Sequence, residues 1–280
     1  MFGFNWLFNW RKKLIKKTMK NIIKNTGIIL TDDEKKWVTV FNEIQHRVDV
    51  VFEAFVAFFS VNVFIENLLN INPELERIML PLKHKSFIYR SYLYVELHNL
   101  LDEKGKSSIT KFVNYWYGDL IKGGHDFTKI FGDEVEIKVL RKYFDVFKKW
   151  YDSKKEKIHN IKVFRDKNFS HIDHDFEYNN QLNYEILLEL IVFLSDFSTI
   201  MINTTKVSNF RVFKGEPVGI IKFVQETTDI NKVRKRLRQE INAISNMFSF
   251  DQNGKKNLVL NCWDSIDLVL NKVKLIKIRQ

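Results

Sequence analysis

Three prolines and ten glycines serve 280 residues. Both are helix breakers, so their scarcity over a long chain favours long helices. There is one cysteine, Cys262. That excludes a disulfide framework or a cysteine-based zinc site within one chain, and it fits a reducing compartment. Cys262 sits in the apolar run NLVLNCW and reads as a small buried hydrophobe. No glycine-rich phosphate loop occurs, because KGGHD (Lys122–Asp126) has the wrong spacing, and no cofactor is expected. No internal repeat is present. No clean span of 18–20 apolar residues stands out either: the greasiest run, Val48–Phe64, carries Glu53 and is flanked by Glu66. A buried core helix is therefore expected there.

What the chain has is apolar content and positive charge. It is 45% hydrophobic and 14% aromatic, which is enough for a core. Lys and Arg number 45 against 34 acids, a net charge of +11. Such an excess suits a polyanionic partner, nucleic acid or an anionic membrane surface. AT-rich coding would also raise Lys, Asn, Ile and Phe together.

Three parts are expected: a basic and aromatic arm (1–30), an antiparallel helical domain (31–206) and a C-terminal extension (207–280). The arm runs aromatic first and basic second, the reverse of a signal peptide. It can lie on a membrane or dock on a partner. In the central part, TDDEKKW opens a helix capped by Thr31 or Asp32. Trp37, Phe41, Ile44, Val48, Val51, Phe55 and Phe58 continue it at helical spacing to about Asn70. Pro73 starts the next helix, with a break near Pro81. Ser107 or Ser108 caps another, a long helix starts at Asp133, and one more covers about Asn183 to Thr204. In the extension, NFRVFKGEPVGIIKF looks extended and Lys232–Arg238 lies on a basic helix. The tail from Asn257 is ambiguous between helix and strand. The fold class is thus all-α with a C-terminal region open to α+β.

The chemistry concentrates in RDKNFSHIDHD, Arg165–Asp175. Three readings compete. His171, Asp173, His174 and Asp175 are metal-ligand types, but neighbours on a helix point about 100° apart and seldom share an ion. Polar residues at a helix end are also ordinary structure. The third reading is RNA cleavage without metal. RNA carries its own nucleophile, the 2′-OH. The enzyme then supplies a base, an acid and a cation for the phosphorane charge. His171 suits the proton roles and Arg165 the cation. Lys167, Asn168 and His171 can share one helical face.

RDKNFSHID resembles the signature of the HEPN superfamily, an Arg, four to six residues, then His. SYLYVELHNLLDEKGKSSITKFV upstream is similar to abortive-infection (AbiU-type) members. The resemblance covers roughly residues 35–205. It implies an all-α bundle, commonly a homodimer with two motifs facing one cleft, and an endoribonuclease of a toxin or phage-defence system. It implies that Arg165 stabilises phosphate, His171 is acid or base, and Asp166 orients one of them. Asn168 and Ser170 would assist by hydrogen bonding, with Lys167 and Asp173 beside them. Asp173 stands where the tyrosine of the nucleotide-accepting variant would be. An acid next to the arginine can neutralise it, where Asn would not. Some members are catalytically silent modules that bind RNA or a partner protein, so fold does not establish activity.

The expected partners are RNA, a second copy of the chain, and an antitoxin or sensor protein, in the cytoplasm. Lys232, Arg234, Lys235, Arg236 and Arg238 are candidate contacts to the RNA backbone, unless they form a solvated helix face. Ile186, Leu190 and Phe193 are expected to be divided between core and partner.

Overall fold

Helices account for almost all of the structure, a computed structural model that describes residues 31–105, 108–114, 134–166, 184–204, 230–248 and 250–273. No strand occurs among these residues. The elements are α1 (Asp32–Ile71), a 3-10 turn (Pro73–Glu76), α2 (Leu80–Leu101), α3 (Glu134–Ser153), α4 (Lys155–Arg165), α5 (Tyr184–Thr204), α6 (Ile230–Ser245) and α7 (Gln252–Lys272). Residues 109–114 are helical as well. The arm and the extended-looking run at 209–223 lie outside the described residues.

The ends of these helices have local causes. Asn72 caps the 3-10 turn by accepting from the Glu74 N–H, and Pro73 follows at a position where a missing N–H costs nothing. Ser108 Oγ accepts from the Lys111 N–H, so of the two serines it is the cap. Asp251 does the same for α7 through the Gly254 N–H. The break near Pro81 is present, since α2 begins at Leu80 and takes the proline into its first turn. The long helix expected from Asp133 is interrupted at Lys154, which separates α3 from α4. The ambiguous tail is helical: Leu258, Cys262, Ile266 and Leu270 recur every four residues and all are buried.

The described residues form two compact units. The first takes its described residues from 31–47, 100–105, 108–114, 134–153 and 197–204. Its core includes Phe41 stacked on Phe112, and Phe147 against Trp150 and Tyr151. The Tyr151 hydroxyl and the Thr110 hydroxyl both donate to the Leu101 carbonyl. Burial pushes the Tyr151 phenol up to about 12, with Glu103 adding to the rise.

The second unit takes its described residues from 48–99, 154–166, 184–196, 230–248 and 250–273. Helices α6 and α7 therefore share one unit with helices from the middle of the chain. Its core holds Phe55, Phe59, Phe64, Tyr94, Phe164, Leu188, Leu237 and Ile266. Phe64 stacks on Phe248, and Tyr184 packs against Phe58 and Phe59. Cys262 is fully buried, and burial pushes its thiol up to about 12. Leu190 and Phe193 are buried within the chain's own core, which leaves only Ile186 of that trio half-buried.

One described stretch, Thr39–Ile71 within α1, is long and apolar enough to cross a membrane. Two thirds of its apolar window is buried inside the protein (67%), as expected of a core helix.

Candidate functional site

Arg165 is the last residue of α4. Ile158, Ile161 and Phe164 form the buried face that fixes this helix. Phe164 packs against Tyr94 of α2, with ring centroids 4.4 Å apart and the rings tilted by 32°. That contact holds the end of α4 against α2, where Arg165 emerges. A cation in the last helical turn also complements the negative end of the helix dipole. Asp166 follows at the C-cap, with its N–H bonded to the carbonyls of Lys162 and Val163.

The guanidinium is held on two sides. Nε and Nη2 both donate to Asp166 Oδ1, at 2.8 and 2.5 Å. Nη1 lies 2.6 Å from Nδ1 of His98, on α2. A guanidinium can only donate, so Nδ1 is the acceptor and the imidazole keeps its proton on Nε2. His98 is buried. The guanidinium has five N–H groups in all. Three of them make these contacts among the described residues. The Arg165 side chain is about one quarter exposed (24%).

Of the residues singled out from sequence, Arg165 and Asp166 are thus brought together. Lys167, Asn168, Ser170, His171 and Asp173 lie outside the described residues, as do His174 and Asp175. The reading that an acid beside the arginine can neutralise it has a concrete counterpart in the Arg165–Asp166 ion pair. Among the described residues, no group of three or more His, Cys, Asp and Glu could hold a metal ion.

His98 was not picked out by sequence reasoning. It shows no spacing motif with other histidines and lies 67 positions from Arg165. The one available signal was a titratable residue among Leu93, Tyr94, Leu97, Leu100 and Leu101, all buried.

The basic segment of α6 is arranged differently from an open cationic stripe. Arg234 Nε and Arg238 Nη2 bind opposite oxygens of Asp267 on α7, at 2.8 and 2.6 Å. Arg234 also donates to Asn231, and the Arg238 guanidinium lies over the Trp263 ring. Arg236 pairs with Glu53 of α1. These three arginines hold helices together. Lys235 is exposed, and Lys232 lies on the same helix.

No family, curated protein or solved structure matches the chain.

Proposed function

We propose that the protein is a metal-independent endoribonuclease of the HEPN type, serving a toxin or phage-defence system in the cytoplasm. The observation that supports this reading is Arg165, its guanidinium held by Asp166 and His98, at the helix end where RDKNFSHID begins. A fork held on both sides binds a phosphate without first having to order itself.

In the proposed reaction His171 takes the proton of a ribose 2′-OH, and that oxygen attacks the adjacent phosphorus. The P–O5′ bond breaks. The leaving oxygen receives a proton, and the products are a 2′,3′-cyclic phosphate and a 5′-hydroxyl. Arg165 binds a non-bridging oxygen where negative charge builds. Asp166 and His98 orient Arg165. A single His171 supplies one proton-transfer group, whereas the reaction uses a base and an acid. A two-fold homodimer sharing one cleft would supply both.

The test is cleavage of a single-stranded RNA in excess chelator. His171→Ala and Arg165→Ala should each lower the rate by 10²-fold or more, with the helical circular dichroism unchanged. The 3′ ends should be 2′,3′-cyclic phosphates. Activity lost in chelator and restored by a divalent ion would refute the mechanism, as would an unchanged rate in His171→Ala. Excess His171→Ala chains mixed with wild type should poison activity beyond dilution if the dimer shares its cleft.

One observation favours a second reading. The Asp166 carboxylate offsets the Arg165 charge that a phosphorane needs. A catalytically silent module that binds RNA or a partner protein, such as an antitoxin or sensor, fits that arrangement. It would bind without cleaving.

A further inference from the structure

Helix α4 has two opposite faces. Ile158, Ile161 and Phe164 are buried on one of them. Lys155, His159 and Lys162 are exposed on the other. Spacings of four and three place these three side chains in one line, and Arg165 follows three positions further on. At a rise of about 1.5 Å per residue, the line from Lys155 to Arg165 is about 15 Å long. Among the described residues, no ion pair or side-chain hydrogen bond engages Lys155, His159 or Lys162. Asp166, the one acid a helical turn from Lys162, binds Arg165 instead. The basic helix α6 is the reverse case. Its Arg234, Arg236 and Arg238 are all paired with acids on neighbouring helices, so the fold uses them. Nothing in the packing of α4 requires lysines on its outer face.

We infer that the outer face of α4 is a track for the phosphates of an RNA strand, running along Lys155, His159 and Lys162 to Arg165. The inference rests on the ribonuclease reading and adds to it the path by which the substrate reaches the arginine. A lysine ammonium meets a phosphate as a point charge, and a row of them follows a backbone whatever its bases. An anionic membrane surface would also attract these lysines, but a helix that lies on a membrane buries an apolar face in it. No large hydrophobic side chain of α4 is exposed. Charge without an apolar face fits a polyanion that stays in water, and a nucleic-acid backbone is one.

The experiment uses the full chain and a fluorescein-labelled 2′-O-methyluridine 12-mer. Its 2′ oxygen carries a methyl group, so the probe is bound but not cleaved. Binding is titrated from 50 to 200 mM salt for wild type and for the double variant Lys155→Gln, Lys162→Gln. Glutamine forms helix about as well as lysine, so α4 is kept. Two lost phosphate contacts on a single strand should lower the log–log salt slope by about 1.4. Over that fourfold change in salt, wild type should then lose about sevenfold more affinity than the variant. The control double variant Lys142→Gln, Lys256→Gln removes the same charge at exposed lysines outside α4 and should keep the wild-type slope. A slope unchanged in the α4 variant overturns the track, as does an equal drop in the control, or no binding by wild type. Loss of phosphatidylserine-vesicle binding in the α4 variant, with oligonucleotide binding unaffected, would also overturn it in favour of a membrane. Track-dependent binding in a protein that cleaves no RNA would keep the track and remove the catalytic reading. Cleavage whose KM is indifferent to Lys155 and Lys162 would do the reverse.

Discussion

Replacing Asp166 with asparagine keeps the shape of the Arg165 clamp and removes its charge. The amide oxygen can still accept from Nε and Nη2, as Oδ1 does in the present arrangement. Two unit charges about 4 Å apart attract by about 1 kcal/mol at the dielectric of water and about 4 kcal/mol at an effective dielectric of 20. The side chains are 24% and 40% exposed, which puts the pair nearer the watery limit. Measured exposed pairs give about 0.2–1 kcal/mol. Roughly 1 kcal/mol of attraction is then no longer competing with an incoming phosphate, which corresponds to about a fivefold gain in affinity. The assay is fluorescence anisotropy of a single-stranded oligodeoxynucleotide, titrated from 50 to 200 mM salt. If Arg165 gains a full phosphate contact in Asp166→Asn, the log–log salt slope should steepen by about 0.7. RNA cleavage should rise in parallel. Affinity and slope both unchanged, or affinity lowered, would show that the carboxylate is not what restrains Arg165.

Further outcomes follow from the two cores. Phe64 is fully buried and stacks on Phe248, so Phe64→Ala should cost about 3–5 kcal/mol in urea unfolding. Tyr151→Phe removes the hydroxyl bond to the Leu101 carbonyl and should cost about 1 kcal/mol at neutral pH. Because burial raises the folded-state phenol above its ordinary 10, the Tyr151 contribution is fully present below pH 10 and lost as pH climbs towards 12. Tyr151→Phe should therefore show a shallower alkaline loss of stability than wild type. The buried Cys262 thiol should resist an aromatic disulfide reagent in the native protein and react fully in denaturant. Rapid native-state reaction would contradict its burial.

The helices were largely legible in the sequence. Apolar spacing from Phe41 to Phe58 marked α1, and Asn72–Pro73 and Ser108 are local signals whose effect does not depend on distant residues. The tail was ambiguous for a physical reason. Its LVL runs place apolar residues on both sides of α7, so Leu260 and Leu268 are exposed while Leu258 and Leu270 are buried. That dilutes the four-residue period and imitates a strand. The neighbour pair Arg165–Asp166 could be read directly, but its third member could not. His98 meets Arg165 where Tyr94 and Phe164 pack their helices against each other. The arginines of α6 illustrate the same limit. A run of basic residues shows charge, but not that Asp267 waits 33 positions beyond Arg234, or that Glu53 lies 183 positions before Arg236.

Asp267 receives guanidinium groups on both of its oxygens, from arginines one helical turn apart on α6. A carboxylate gripped in this way acts as an alignment pin. Two smooth apolar helix faces can slide past each other by a turn, about 5.4 Å, at modest loss of buried area. Such a slip here would take at least one arginine off Asp267 and leave a partly buried charge without its counterion, a far larger penalty. The pairing therefore selects one register between α6 and α7 from several that their leucines and isoleucines alone would tolerate.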